Sequence, residues 1–229
     1  MDNTSVEKFY QSLSSIGVAI YSKSYTKSFS KSVDIESTLI EAAHHIELGL
    51  DRRILSLILS WIREHGEQIN MERLRKLSNK EEQSPYWINL FAFYGLSQGQ
   101  SRWKILAKPV VSREFANEDL EMAKSRLEFK GEEVWSKGTG FLIPLGSEPI
   151  DSKYVLSAKQ ISSLNVMFKC RLIWGANWKA DIYFAMIMGA KTANAAAKAV
   201  GSSYDPAYRV YQGAKNASFD PRIILKLER

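Results

Sequence analysis

Between Trp178 and Lys215 the chain reads WKADIYFAMIMG-AK-TANAAAKAVG-SS-YDPAYRVYQGAK, three helical patterns parted by two very short breaks. Breaks that short oblige consecutive helices to pack against one another. The spacing of apolar residues says which faces meet. The first pattern sets Ala180, Phe184 and Ile187 on one face and stops at Gly189. The second opens at Thr192, a good N-cap. It places Ala193, Ala196, Ala197 and Val200 at i, i+3, i+4 and i+7, and stops at Gly201. The third opens after Ser203, also of N-cap type. Pro206 falls in its first turn, where a missing N–H costs nothing. Ala207, Val210, Tyr211 and Ala214 form its apolar face, and Asp205, Tyr208, Arg209 and Gln212 the opposite one. The alanine-rich second helix allows the third to cross it closely. The turn at Gly201 calls for a positive φ, which glycine adopts without steric cost.

This is the layout of a helix-turn-helix. Ala197, Gly201, Ala207 and Val210 stand at its small, turn and core positions. On these residues the segment resembles the helix-turn-helix of winged-helix DNA-binding proteins. It is similar in particular to small bacterial regulators and antitoxin-type repressors. The resemblance implies sequence-specific binding of double-stranded DNA, with a role in transcriptional regulation or antitoxin-like repression. Arg209 is then the candidate base reader, because a guanidinium can bind guanine O6 and N7 bidentately. Asp205, Tyr208 and Gln212 share its face. Thr192, Ser203 and Tyr204 suit phosphate contacts. Lys179, Lys191, Lys198 and Lys215 would supply the salt-dependent part of binding. The ending FDPRIILKLER, with Ile223, Leu225 and Leu227 on one face, is expected to give one wing strand. Its partner strand would have to come from upstream, from FLIPL or KYVLS.

Charge agrees with this assignment. Residues 168–229 hold ten basic and four acidic side chains, while the other 167 residues hold 21 of each. The whole net charge of +6 therefore lies in the last 62 residues. A basic end on a neutral body fits a polyanionic partner, and it also fits a solvated basic face.

Upstream, residues 1–33 read as a flexible or weakly structured arm, with a short strand possible in SSIGVAIYSKSYTKSFSKS and with Lys23, Lys27 and Lys31 along it. Residues 34–135 read as a helical body, suited to a homodimer or a protein partner. Four closely spaced helices carry it. Leu39, Ala42, Ala43 and Ile46 line the first. The second runs between Asp51 as N-cap and Gly66 as C′ residue. Met71, Leu74 and Leu77 line the third. The fourth, PYWINLFAFYG, is nearly apolar throughout, with Pro85 in its first turn. A further helix is expected over Val111–Gly131. The Gly/Pro stretch KGTGFLIPLGSEP marks the boundary with a basic domain at 136–229. SSLNVMFKCRLIWG fits either a strand or a helix. The fold class is thus mainly α with a small β component: an N-terminal bundle-like body plus a C-terminal helix-turn-helix with room for a wing.

Enzymatic signatures are missing from the sequence. His44 and His45 are adjacent, so on a helix they point about 100° apart and cannot grip one metal together. They read as helix-surface residues, and His65 as a helix C-terminal residue favoured by the dipole. Cys170 reads as a buried thiol, and Glu132-Glu133 as a solvated helix end. Gly138-x-Gly140 lacks the third glycine of a dinucleotide loop. The expectation is a non-enzyme with no cofactor and no metal. With no run of 18 apolar residues and no leader pattern, it is also expected to be cytoplasmic and not membrane-bound. Two other functions fit the same residues. The Tyr/Arg/Gln face could be a protein-binding surface of a scaffold protein. The tail and the lysine-bearing arm could bind RNA.

Overall fold

The computed structural model describes residues 3–20, 31–51, 53–80, 84–111, 114–115 and 120–226. Among them the structure is mainly helical. The helices are α1 (Asn3–Ser15), α2 (Ile35–Glu47), α3 (Arg53–His65), α4 (Met71–Ser78), α5 (Ser84–Ser97), α6 (Leu120–Lys130), α7 (Ala158–Leu164), α8 (Val166–Trp174), α9 (Trp178–Ile187), α10 (Ala193–Val200) and α11 (Tyr204–Asn216). Strands β1 (Glu114–Phe115) and β2 (Phe141–Leu142) pair in parallel, Glu114 against Phe141 and Phe115 against Leu142. FLIPL therefore does extend. Its Pro144 forms an antiparallel bridge to Glu132.

The chain divides into two compact units, and the division is not the one expected at residue 136. One unit gathers Met1–Glu36, Gln68–Arg73 and Ser157–Arg229; the other holds Ser37–Glu67 and Leu74–Leu156. Residues 3–15 form a helix where an arm was expected. Phe9, Leu13 and Ile16 are fully buried, which gives this segment an apolar stripe and so a reason to be helical. Lys23 and Lys27 lie outside the described residues. Lys31 is exposed, and its carbonyl accepts the Val166 N–H at 3.0 Å. The ambiguous SSLNVMFKCRLIWG is helical in two pieces, α7 and α8, parted at Asn165. The Asn165 side chain accepts the Phe168 N–H at 2.9 Å and so starts α8.

The second unit follows its hydrophobic pattern. Every residue of α3 from Ile54 to Ile62 is buried, as are Trp87, Ile88, Leu90, Phe91, Ala92 and Tyr94 of α5. Trp103, fully buried, closes this core. Its Nε1 donates to Gln100 Oε1 at 2.8 Å, and Gln100 Nε2 donates to Ile62 O at 2.8 Å. Gly66 is needed here for close approach, not as a left-handed helix stop. A Cβ at Gly66 would lie 2.0 Å from Gln100 Oε1. Gly95 on α5 has the same role, since a Cβ there would meet Trp103 Cδ1 at 2.3 Å.

Four further expectations change in this unit. Of the helix expected over 111–131, residues Leu120–Lys130 are helical, Glu114–Phe115 lie in β1, and 112–113 and 116–119 lie outside the described residues. His45 is buried rather than on the surface, and burial lowers its pKa, with His44 adding to the effect. His65 is buried too, its Nε2 lies 2.8 Å from Leu156 O, and burial lowers its pKa. It therefore ties the end of α3 to residue 156 and does not serve as a dipole counter-charge. Glu132 and Glu133 are also engaged. Glu132 accepts from Ser136 Oγ at 2.6 Å, and Glu133 accepts the Gly146 N–H at 2.9 Å.

Candidate nucleic-acid interface

Helices α9, α10 and α11 assemble in the first unit around a small-residue core. Ile182 and Ala185 of α9 meet Ala196, Ala197 and Val200 of α10 and Ala207 of α11. Trp178, Met186, Ala193, Val210 and Tyr211 pack around them. The expected faces of α10 and α11 are therefore the observed ones. Helix α9 differs: Ala180, Asp181, Ile182, Tyr183, Phe184 and Ala185 are all buried, so it has no solvent face over that stretch.

The helix ends are set by local chemistry. Asn177, which sequence reasoning missed, caps α9 by accepting the Lys179 and Ala180 N–H groups at 2.9 and 3.3 Å. Thr192 Oγ1 accepts the Ala195 N–H at 3.1 Å. Gly201 ends α10 in the left-handed region at φ +76°, ψ +18°, and the Ser202 N–H closes back onto Ala197 O at 3.0 Å. Ser203 stands at the N-cap position of α11, but its side chain forms no cap bond. Its carbonyl instead accepts from Ser202 Oγ at 2.9 Å.

A Cβ at Gly201 would meet nothing within 4 Å, so only the backbone conformation penalises a side chain there. Gly201→Val is expected to lower stability by about 1–2 kcal/mol from the left-handed φ alone. Denaturant unfolding beside Gly201→Asn, which tolerates that region better, checks the cause. At the far end of α11 the same position is held by Ser218, at φ +49°. Phe219 N–H donates to Ala214 O and Ser218 N–H to Lys215 O, a Schellman closure. Ser218→Gly is expected to raise stability by about 0.5–1 kcal/mol in a melting experiment.

On the outer side of α11, Ser203, Tyr204, Asp205, Tyr208 and Arg209 are exposed, and Gln212 is half-buried. The rings of Tyr204 and Tyr208 stack at 5.7 Å and 29°. Arg209 Nη2 lies 2.8 Å from Asp205 Oδ2, an exposed i,i+4 pair. Thr192, Lys179, Lys191, Lys198 and Lys215 are exposed. Among the described residues the expected wing strand is not formed. Residues Pro221–Lys226 wind into a 3-10 turn that buries Pro221 and Ile224, and Leu227 lies outside the described residues. KYVLS likewise begins as a 3-10 turn over Ser152–Tyr154.

What sequence reasoning missed is how α9 is anchored. Arg171 of α8 is fully buried. It bonds Glu36 through Nη1 and Nη2 at 2.5 and 2.7 Å, and Asp181 through Nε and Nη2 at 2.9 and 2.8 Å. Asn70 completes the group, its Nδ2 donating to Asp181 Oδ2 at 2.8 Å and its N–H to Glu36 Oε1 at 2.9 Å. Arg73 pairs with Asp34 and Glu36. Burial pushes the Glu36 carboxyl above its ordinary value, against the pull of Arg171 and Arg73. The signal in the sequence was a lone acid, Asp181, inside the apolar run of α9.

This network also corrects the charge argument. Arg171 belongs to the interior, Arg222 is held by Asp220 at 2.8 Å, and Arg209 by Asp205. The outward positive charge of the three-helix module rests mainly on Lys179, Lys191, Lys198 and Lys215. Deleting residues from 168 onward would not leave an intact body, since α8 and α9 share a unit with residues 1–36 and 68–73.

Cys170 is buried, and burial pushes its thiol up to about 12, far from a reactive thiolate. Among the described residues no group of three His, Cys, Asp or Glu side chains is placed to hold a metal ion. No helix among them is long and apolar enough to cross a membrane. No family model, no curated protein and no solved structure matches the chain.

Proposed function

We propose that α9–α11 bind duplex DNA, with α11 entering the major groove, and that the protein acts as a transcriptional regulator or antitoxin-like repressor. The observation that carries this reading is the α10–Gly201–α11 corner. Its left-handed glycine turns a capped, alanine-rich helix into a 13-residue helix whose polar side faces solvent. Thirteen residues span about 20 Å, enough to lie along a groove roughly 12 Å wide. Arg209 would read bases after leaving Asp205. Thr192 and the exposed lysines would meet phosphates. A homodimer would present two such helices to half-sites about 34 Å apart.

A protein-binding role is the second reading, favoured by the exposed, stacked Tyr204–Tyr208 pair beside Arg209. Titrating the full chain against a selected duplex, a scrambled duplex and single-stranded RNA across a salt series separates these functions. The DNA reading expects duplex preference and a steep salt slope. Absence of binding to either nucleic acid would sink it and favour the protein partner. Preference for the RNA would point to the third function.

A further inference from the structure

Beside the inner side of α11 lies an open groove of about 590 Å³. That is within the range of small-molecule sites, roughly 300–1,000 Å³. Its floor is apolar: Met186 of α9, Tyr211 and Ala214 of α11, and Phe219 and Pro221 beyond it. The floor is also fixed in place. Tyr211 Oη donates to Ala190 O, and Phe219 is held edge-on by Trp174 and Tyr183, with centroids 6.3 and 5.7 Å away. The rim is cationic, carrying Lys191, Lys215 and Arg222 with Asp220 as its single acid. Asp220 is already paired with Arg222 at 2.8 Å. Among the described residues neither Lys191 nor Lys215 forms an ion pair, so these two are the uncompensated charges of the groove.

We propose that this groove binds a small amphipathic organic anion. An aromatic body would sit on Met186, Tyr211 and Phe219, and a carboxylate would sit between Lys191 and Lys215. A bare inorganic anion would leave the apolar floor wet, and a neutral aromatic would leave the lysines unanswered. An aromatic carboxylate satisfies both. A preformed floor avoids the cost of ordering side chains on binding. If α11 binds DNA as proposed, such a ligand would engage two lysines that also serve phosphates, and so would weaken DNA binding. Only that consequence rests on the DNA reading.

The test uses the full chain without nucleic acid, so its failure leaves the DNA reading untouched. Titration calorimetry with 1-naphthoate is expected to give saturable binding below about 1 mM, at least tenfold tighter than with uncharged 1-naphthamide. The double variant Lys191→Gln/Lys215→Gln, at exposed positions, should lose tenfold or more for naphthoate while the amide is unchanged. Arg222→Gln should lose less than threefold, because Asp220 already engages that guanidinium. The site would be overturned by no saturation with naphthoate, by equal binding of acid and amide, or by full affinity in the double variant.

Discussion

Replacing Arg171 with methionine is expected to destabilise the protein by about 3–5 kcal/mol, the cost of breaking a buried ion pair from one side. The side chain is fully buried between Glu36 and Asp181, and it also donates to Gln68 O at 2.9 Å. Methionine fills much of the volume but leaves two buried carboxylates near each other. Part of the loss should return in the double variant Arg171→Met/Glu36→Gln, which removes one of those charges. Equilibrium denaturant unfolding of the three proteins measures both effects. A loss below about 1 kcal/mol for Arg171→Met would mean that the network contributes no more than an exposed pair.

The pH dependence of that loss has a definite sign. Burial raises the Glu36 pKa above 4.5, so the native state takes up a proton there at higher pH than the unfolded chain does. The stability linked to this group is therefore fully present below the unfolded value and declines as pH rises through the folded one. Removing Arg171 deletes the largest favourable charge on Glu36 and raises its pKa further. The deficit of Arg171→Met should thus be smaller near about pH 5 than near about pH 8. His45 and His65, whose pKa values are lowered, destabilise both proteins alike as pH falls below about 6.5. Their effect cancels in the difference.

Arg209→Ala should cost about 1–3 kcal/mol on a preferred duplex and relax the sequence preference at the contacted base pair. Lys198, exposed on α10, should behave differently. Lys198→Ala is expected to weaken binding to all duplexes about equally and to reduce the salt slope by roughly one unit. Asp205 adds a control. It holds Arg209 at 2.8 Å with both side chains largely exposed, a pair whose release costs little in solvent. Asp205→Asn should therefore leave stability unchanged and raise affinity for DNA. Titration of each variant against selected and scrambled duplexes at several salt concentrations reads all three. Equal loss on both duplexes for Arg209→Ala would reduce α11 from a reader to a non-specific anchor.

The three-helix module was legible in the sequence because its determinants are local. Thr192 caps within three residues, Gly201 supplies its own backbone conformation, and the i, i+3, i+4, i+7 spacing of Ala207, Val210, Tyr211 and Ala214 sets one buried face. The apolar α3 and α5 announced themselves for the same reason. The single strand of FLIPL was legible as well, but a wing was not decidable. Ile223 and Leu225 alternate like a strand, yet their segment winds into a 3-10 turn that buries Pro221 and Ile224. Residues 3–15 misled because a weak amphipathic pattern becomes a helix only when something covers Phe9, Leu13 and Ile16. Of the network of Glu36, Asn70, Arg171 and Asp181, only the lone acid Asp181 in its apolar run left a trace in the sequence. Its members lie up to 145 positions apart, and a charge in the chain looks the same whether it faces water or a buried partner. Tertiary structure alone decided that Arg171 belongs to the interior and that Lys191 and Lys215 stay exposed. Burial sets that choice, because a charge removed from water must find its counter-charge wherever the fold brings one.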